Sequence, residues 1–540
     1  MKKKLCIFLT LLLLLGLLSG CGASEDLKEE VNIALSGSPV TIDPQLMSDT
    51  NAGFVGSFFT SCLYGYDVNK ELVPVLAESY ELSEDCLTYT FHLKKDLKWS
   101  DGRDLTAADC VFGFQRLADP DVGSNSMYLI TDSCKIKNAD DVTMGKIPVN
   151  QLGVSAPDAL TFVVELEKPC PYFCALITMA DFAPCNVDFY HSAGEAYATS
   201  EDTILSCGPY IMDRYEPLAM QIHFTKNPYY VNADAITVPG INLQVVANAQ
   251  QGLMSYEAGS LDLTTVSGEL TDLAEGDPEL TEFPNASLFY LEMNQRSCPA
   301  LQNRNIRMAL SKSIDRDDFV THVLKTGNTS VARVNPPGFY TDTDGSDFAG
   351  NADQYKEQAG YDPAKAKELW EQGLQEIGAS SVTLNFMFAS GNNTLMEALK
   401  DQMEKNLPGL TVELRASTSK EIMTARAKGG YDLLFSGWVA DYADPTAFLA
   451  LFISTGSAIG YNNPEYDALY EQIQSPEVSK DAAGRNELMH KAEDMLMDDA
   501  ALIPLFSKGQ TYLIRKGVTG FQVNPTGIGC ILTGLRKEVK

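Results

Sequence analysis

The sequence is poor in positive charge. It has 41 Lys and Arg residues against 72 Asp and Glu residues, which gives a formal net charge of −31 at pH 7 over 540 residues. A surface this acidic repels phosphate backbones and anionic lipid headgroups, so a nucleic-acid-binding protein or a broad binder of membrane surfaces is not expected. The five histidines are isolated, at positions 92, 191, 223, 322 and 490, so no imidazole cluster suggests a metal site.

Motifs of catalytic sites are also lacking. Neither HExxH nor GxSxG occurs, and Gly145–Lys146 is not a phosphate loop, because Asp140 stands in place of the upstream glycine and Ile147 in place of Ser or Thr. "STSK" (417–420) and "KTG" (325–327) match short patterns of serine penicillin-binding enzymes, but in reversed order and without a Ser-Asp-Asn element between them. We therefore expect no enzymatic activity and no cofactor, with a secreted serine hydrolase kept as a remote alternative.

Cysteine pairs with metal-site spacing are absent as well. The chain has 12 cysteines but no CxxC, and its one close pair, Cys170 and Cys174, has no histidine cluster beside it. A zinc site is therefore not expected. In an exported chain the cysteines beyond position 21 are consistent with disulfides and equally with buried free thiols, and their spacing does not decide between the two.

The N-terminus reads as a targeting segment. "MKKK" is a positive n-region, "LCIFLTLLLLLGLL" an apolar h-region, and "LSGC" (18–21) a cleavage point with small residues. A cysteine at that point resembles the bacterial lipobox, which implies a signal peptide over 1–20, a lipid on Cys21 and a short tether over 21–30. No later run approaches 18 apolar residues, so no membrane span is expected.

Hydrophobic periodicity predicts an α/β protein. "VNIAL" (31–35) reads as a strand, 241–266 as a β–α–β unit, and a long insertion with its own short strands and one helix lies between them. From 305 onward helices and strands alternate as far as "YDLLFSG" (431–437), which predicts a lobe with a mostly parallel sheet.

The segment "FSGWVADYADPTAFL" (435–449) is the main candidate site. In open α/β sheets the ligand crevice lies beyond the carboxyl ends of the strands, and the strand ending at Gly437 delivers Trp438 and Asp441 to such an edge. The alternative for Trp438 is ordinary core packing. Asp444 precedes Pro445 and is expected to cap a helix, so a structural role is favoured for it.

Five segments stand out in the order in which they occur. They are "TIDPQ" (41–45), "LKWSDGRDLTAADCVFGFQRLADP" (97–120), "CGPYIMDRYEP…FTKNPYY" (207–230), "LEMNQRSCPALQNRNIRMALSKSIDR" (291–316) and "GWVADYADPTAFL" (437–449). Together they resemble the extracellular solute-binding proteins of peptide-importing ABC transporters (solute-binding family 5), and within them the oligopeptide-binding lipoproteins. The resemblance covers nearly the whole mature chain, and the last segment is the most specific.

The resemblance implies a two-lobed fold like that of the periplasmic binding proteins, of the class II or cluster C type, with a ligand cleft between the lobes and an additional inserted domain. We expect the chain to cross between the lobes near 180–185, 287–294 and 506. The expected limits are 31–50, 181–286 and 507–540 for lobe I, 51–180 for the inserted domain, and 287–506 for lobe II.

The resemblance also implies residue roles. Asp441 would pair with the α-ammonium group of a peptide, and the backbone of Gly437, Trp438 and Val439 would bind the peptide like a neighbouring strand. Further candidate contacts are Tyr290, Asn294, Tyr128 and Arg426, and for Tyr290 and Asn294 packing is an equal alternative. Some relatives carry an Arg where this chain has Phe435, and some carry a cysteine where it has Val439. How the peptide carboxylate is held is therefore left open.

The function implied by the resemblance is a monomeric receptor that delivers peptides to an ABC importer. The receptor would be extracytoplasmic and would attach to the bacterial membrane through the lipid on Cys21. The permease and ATPase subunits would be separate chains, and no nucleic acid is expected as a partner. Alternatives left open are a same-fold receptor for another solute and a peptide-pheromone sensor without an import role.

Overall fold

The computed structural model describes residues 29–216, 220–267, 269–274, 276–325, 327–350, 359–454, 460–526 and 528–538. The expected signal peptide, Cys21 and most of the tether lie outside these residues. None of the helices in the described part of the chain combines the length and the apolar composition that crossing a bilayer requires.

The first lobe is built on a seven-stranded mixed sheet. Val31–Leu35 lies near its middle and pairs in parallel with Gly240–Val245 and Leu263–Val266, and the outer pairs are antiparallel. The helix Thr50–Phe59 packs on this sheet, with Phe58 stacked on Phe224 at 5.2 Å between ring centroids. In spatial order the strands are Leu280–Pro284, Gly509–Ile514, Leu263–Val266, Val31–Leu35, Gly240–Val245, Gln221–Lys226 and Tyr210–Glu216.

The second lobe contains a six-stranded sheet. The chain enters it between Pro284 and Ser287 and leaves it between Ser507 and Gly509, so two strands lead from one sheet directly to the other. In spatial order the strands are Thr329–Ser330, Leu502–Ser507, Ser287–Met293, Leu433–Val439, Val382–Ala389 and Leu410–Ser417. We call Ser287–Met293 the hinge strand and Leu433–Val439 the site strand.

The expectation of a mostly parallel sheet in this lobe is wrong. Val382–Ala389 pairs in parallel with Leu410–Ser417 and with the site strand, but the other three pairs are antiparallel. The cause is the pair of crossing strands: the hinge strand and Leu502–Ser507 lie side by side and run in opposite directions as the chain enters and leaves the lobe. The alternation of helices and strands in the sequence predicts only the parallel part of the sheet, because its strands are joined by local crossover connections.

Helix ends in this lobe follow the expected capping residues. Asp362 accepts a hydrogen bond from the Lys365 backbone N–H at 2.9 Å, Pro363 occupies the first helical position, and the helix stops at Gly378 with φ of 68°. The helices of the lobe are Pro299–Gln302, Arg304–Lys312, Arg316–Asp318, Pro363–Ile377, Asn393–Asn406, Ser419–Lys428, Thr446–Leu449, Pro464–Ile473, Pro476–Ser479 and Ala482–Asp498.

The long insertion forms a four-stranded antiparallel sheet with helix Ala107–Ala118 packed on it through Phe114. It also contacts the second lobe, where Tyr172 stacks on Tyr442 at 4.1 Å and an interplanar angle of 4°. The strands are Ala77–Leu82, Thr88–Leu93, Thr161–Glu165 and Val154–Asp158.

Other helices along the chain are Ala139–Thr143, Phe173–Leu176, Val187–Ala193, Ala249–Glu257 and Glu269–Leu273. Three short strand pairs join Tyr64–Tyr66 to Leu72–Pro74, Val518–Thr519 to Arg536–Lys537, and Gln522–Val523 to Cys530–Ile531.

The ten cysteines in the described part of the chain are buried free thiols. Burial raises the pKa of thiols such as Cys134 and Cys298, which keeps them protonated and unreactive at neutral pH. Of the two states that the sequence left open, this structure has the free thiols.

Asp444 has the structural role expected of it, with an additional partner. It accepts a hydrogen bond from the Thr446 backbone N–H at 3.0 Å at the start of helix Thr446–Leu449. It also forms a two-pronged ion pair with Arg485, at 2.6 and 2.9 Å, and both side chains are buried. The short helix after the site strand is therefore tied to the long helix Ala482–Asp498.

Replacing Asp444 by Asn is expected to destabilise the protein strongly. Asn still caps a helix, but it leaves the Arg485 guanidinium buried without an anion, which costs on the order of 3–5 kcal/mol. Urea unfolding of wild type, Asp444→Asn, Arg485→Met and the double variant measures this cost. If the Asn variant unfolds within about 1 kcal/mol of wild type, or if the two changes add fully, the ion pair does not carry the stability assigned to it.

Candidate functional site

The site strand has a partner on only one side at its carboxyl end. It pairs along its whole length with the hinge strand, from Leu433 opposite Met293 to Val439 opposite Ser287. On the other side its last pairing is Leu434 with Met387 of strand Val382–Ala389. Among the described residues, no strand therefore covers the far edge of Gly437–Val439, which we call the edge segment.

The backbone polar groups of Gly437 and Val439 in the edge segment point away from the hinge strand. The Ala440 N–H donates to the Ala286 carbonyl at 2.8 Å, which makes residue 440 and every second residue before it a hydrogen-bonded partner of the hinge strand. Successive residues of an antiparallel ladder face opposite sides, so the N–H and C=O groups of Gly437 and Val439 face the free edge. Gly437 is exposed and Val439 is 37% exposed.

Gly437 also has a packing reason to be glycine. A Cβ at this position would lie 2.6 Å from the Phe289 ring, which reaches over it from the hinge strand. Phe289 in turn stacks on Phe506 at 4.7 Å, so aromatic rings join both crossing strands at the point where they meet the edge segment. The glycine allows this close approach of the neighbouring ring.

Trp438 belongs both to the core and to a cavity wall. Its ring packs on the hydrophobic core that the inserted domain shares with the second lobe, so the packing alternative holds in part. It also lines a cavity of about 880 Å³ between these two units. Its indole N–H is buried and has no hydrogen-bond partner among the described residues.

Asp441 lies where this cavity meets a second one of about 410 Å³, and it lines both. Its carboxylate accepts a hydrogen bond from the Tyr128 hydroxyl at 3.2 Å, so the structure brings these two predicted residues together from different parts of the chain. Burial raises the pKa of Asp441 to about 6, against the opposing effect of the Tyr128 hydrogen bond. The structure shows no ion pair for Asp441 within the described part of the chain.

Asp181 is a neighbouring carboxylate that the sequence analysis missed. It is 4% exposed, lines the smaller cavity, and its Oδ1 has no hydrogen-bond partner among the described residues. Burial raises its pKa to about 6, and the charge of Asp441 adds to the shift. The available signal was a single acid inside the apolar run "CALITMADFAP" (174–184).

Asn294 is not brought to either cavity. It is fully buried at the far end of the hinge strand, and its amide donates to Ser297 Oγ at 2.7 Å and to the Tyr431 carbonyl at 2.8 Å. Its oxygen accepts from two backbone N–H groups of the following turn. Its bonding capacity is used within the protein, so of the two alternatives left open for Asn294 the structure favours packing over ligand contact.

Arg426 and Tyr290 also lie outside the walls of both cavities. The Arg426 guanidinium pairs with the buried Glu292 of the hinge strand, and its Nη2 donates to the Ser436 hydroxyl as well. Tyr290 is 6% exposed, and burial raises its pKa. Arg426 therefore offers its charge to a protein carboxylate, and the holder of a ligand carboxylate remains open.

No group of three or more His, Cys, Asp or Glu side chains in the described ranges could hold a metal ion. What the geometry offers instead is a free strand edge with a half-buried carboxylate at its end. The edge supplies backbone donors and acceptors, and the carboxylate supplies one negative charge.

Comparison with known proteins identifies the family. The model of the middle region of the bacterial extracellular solute-binding proteins, family 5, matches residues 71–459. The chain belongs to this family. A family 5 relative, the dipeptide-binding protein of Lactococcus lactis subsp. cremoris, is 31% identical over 533 residues, which covers 95% of each chain.

Solved structures of family 5 proteins share the fold, including the two-lobed α/β architecture. The unliganded open form of a periplasmic murein tripeptide binding protein, MppA, has a TM-score of 0.82 at 25% identity and covers 95% of this chain and 98% of its own. Listeria monocytogenes OppA bound to peptide has a TM-score of 0.70 at 29% identity and covers 94% and 99%. The present structure is thus more similar in shape to the open form than to this peptide-bound one.

The raised pKa of Asp441 predicts how the stability of the unliganded protein depends on pH. A folded-state pKa of about 6 against an ordinary value of 3.8 means that the folded protein holds the proton more tightly. The stability linked to this proton is fully present below about pH 4 and is lost as pH rises through about 6. Asp441→Asn removes this loss. The melting temperature of the variant is therefore expected to exceed that of wild type by a larger margin at pH 8 than at pH 4.

Thermal melts of both proteins at the two pH values measure this difference, which is on the order of 1–3 kcal/mol. Asp132→Asn is the matched control, since Asp132 lines the larger cavity but is exposed. A melting-temperature difference between wild type and Asp441→Asn that is the same at both pH values would show that Asp441 is not destabilised by its charge.

Proposed function

We propose that this protein captures peptides between its two lobes and delivers them to an ABC importer. The observation that carries the proposal is the pairing of a free strand edge, Gly437–Val439, with the carboxylate of Asp441 at its end. Peptides share one backbone and one fixed charge at the amino end, and these two features of the site match them.

The physical basis is that main-chain hydrogen bonds to the edge segment hold any sequence in an extended form. The α-ammonium forms a charge-assisted pair with Asp441, which is stronger than a neutral hydrogen bond. Removal of water when the cleft closes strengthens the pair further, because the local dielectric falls. Side chains then occupy hydrated space without being selected strictly.

The two crossings between the sheets support a hinge. They lie at 284–287 and 507–509, close together in the structure, and the edge segment lies directly beside them. Rotation about two adjacent crossings brings the lobes together without breaking either sheet. We propose that the lobes close over a peptide bound at the edge segment, with lobe and insertion limits as given from the sequence.

We propose further that the protein is extracytoplasmic and anchored to the bacterial membrane through a lipid on Cys21. The support is "LSGC" after a short apolar run. The anchor would keep the receptor beside its permease, and the permease and ATPase subunits would be separate chains. Cys21→Ser is expected to leave the protein unprocessed or to release it into the medium. Correctly cleaved Cys21→Ser protein that stays on the membrane would rule out the anchor.

The proposed role of Asp441 predicts that removing its charge and removing the peptide's charge have the same effect. Asp441→Asn is expected to weaken the binding of a free-amine tripeptide by on the order of 3–5 kcal/mol, or roughly two to three decades. N-acetylation of the peptide is expected to weaken binding to wild type about as much. Both together are expected to cost little more than either alone, because both delete one interaction.

Calorimetry on the four combinations of protein and peptide tests this expectation, with Asp132→Asn as the control for a charge lost elsewhere on the cavity wall. Independent, additive losses from acetylation and Asp441→Asn would exclude Asp441 as the partner of the amine. Absence of binding by any free-amine peptide would favour the receptor for another solute. Covalent labelling by a serine-reactive probe would revive the hydrolase alternative.

A further inference from the structure

The smaller cavity has an unbalanced charge. Three acids line it, Asp49, Asp181 and Asp441, and none of the described residues in its wall is Lys, Arg or His. Asp49 is used by the fold, since its carboxylate caps helix Thr50–Phe59 through the Ala52 N–H at 2.9 Å and also accepts from the Val40 N–H. Two carboxylates are left facing the cavity without a cation.

Asp181 is the more unusual of these two. Its side chain is 4% exposed, and Oδ1 has no partner within the described part of the chain. A buried carboxylate without a cation or a full set of donors lowers stability, so it needs another reason to be there. It is close enough to Asp441 for the charge of Asp441 to disfavour its ionisation. A ligand group with a single positive charge at Asp441 therefore leaves the cavity with a net negative charge.

We propose that Asp181 is a specificity-determining residue that binds a second positive charge on the ligand, namely the side chain of Lys or Arg at the first position of a bound peptide. This inference rests on the proposed capture of the α-ammonium by Asp441. The same cavity then holds both charges of one residue.

The placement of Asp441 favours the first residue over later ones. An α-ammonium at Asp441 puts the first side chain within reach of both cavities, and only the smaller one has Asp181 in its wall beside Asp441. On an extended chain the next side chain points to the opposite face from the first. The volume of about 410 Å³ is within the range of small-ligand sites, about 300–1,000 Å³.

The test uses three tripeptides, Lys-Ala-Ala, norleucine-Ala-Ala and Glu-Ala-Ala, titrated calorimetrically into the full chain at pH 7.5. Norleucine keeps the carbon chain of lysine and lacks its charge. Wild type is expected to bind the lysine peptide at least about tenfold more tightly than the norleucine peptide, and the glutamate peptide most weakly. In Asp181→Asn the ratio of lysine to norleucine affinity is expected to fall to about one.

Two further variants keep this test specific. Asp49→Asn removes a charge from the same cavity and still caps its helix, so it is expected to keep the preference for lysine. Asp181→Glu is expected to keep the preference as well. If the Asn variant fails to fold, the comparison of the lysine and norleucine peptides on wild type still tests the proposal.

Equal binding of the lysine and norleucine peptides by wild type would overturn the role of Asp181 while leaving peptide capture intact. A lysine preference that persists undiminished in Asp181→Asn would also overturn it. If none of the three peptides binds wild type, the proposed function itself fails, and the two failures are thereby distinguished.

Discussion

The rest of the site depends on one carboxylate that is buried away from water without a cation beside it. Asp441 lies at the end of a strand, between two cavities, with a tyrosine hydroxyl as its hydrogen-bond partner. Burial of this kind raises the energy of the charged form, as the pKa of about 6 expresses. Under the proposed function the α-ammonium of a peptide supplies the missing charge. Binding then recovers the stability that the buried carboxylate costs.

The scaffold around Asp441 is arranged to leave both the charge and the strand edge open. The hinge strand and Leu502–Ser507 connect the two sheets and take one side of the sheet beside the site strand. Strand Val382–Ala389 reaches only as far as Leu434 on the other side, so the edge beyond it, including Gly437–Val439, has no strand partner among the described residues. Tyr128, from the expected inserted domain, and Asp181, from the expected return to lobe I, come from outside the second lobe. The surroundings of Asp441 therefore combine residues from several units of the chain.

Local pattern predicted most of the elements. The strand expected over 31–35 is Val31–Leu35, and the β–α–β unit expected over 241–266 consists of Gly240–Val245, Ala249–Glu257 and Leu263–Val266. The predicted direction of the strands in the second lobe is wrong. The direction depends on the two strands that cross from the other sheet, and no local sequence pattern encodes these crossings. Secondary structure depends on neighbours in sequence, whereas strand order depends on contacts across hundreds of residues.

The site was harder to predict for the same reason. The position of Asp441 follows from its place at a strand end, but the partners of the other candidates are distant in sequence. Arg426 pairs with Glu292, 134 residues away, and Asn294 is held by Tyr431, 137 residues away. The distinctive feature of Asp181 is a carboxylate oxygen without a hydrogen-bond partner, and a missing contact produces no sequence motif. The sequence shows only a single acid inside an apolar run.

The most direct measurement of the central claim is proton release on peptide binding. At pH 6 Asp441 is about half protonated in the free protein, and an α-ammonium requires the charged form, so binding of a neutral-side-chain tripeptide should release roughly half a proton from this group. Calorimetry in two buffers of different protonation enthalpy counts these protons. Wild type is expected to release protons at pH 6, and this release is expected to fall sharply in Asp441→Asn. At pH 8 Asp441 is already charged and the peptide amine is about half deprotonated, so binding to both proteins is expected to take up protons instead. Equal proton release by wild type and Asp441→Asn at pH 6, or none by wild type, would contradict the central claim.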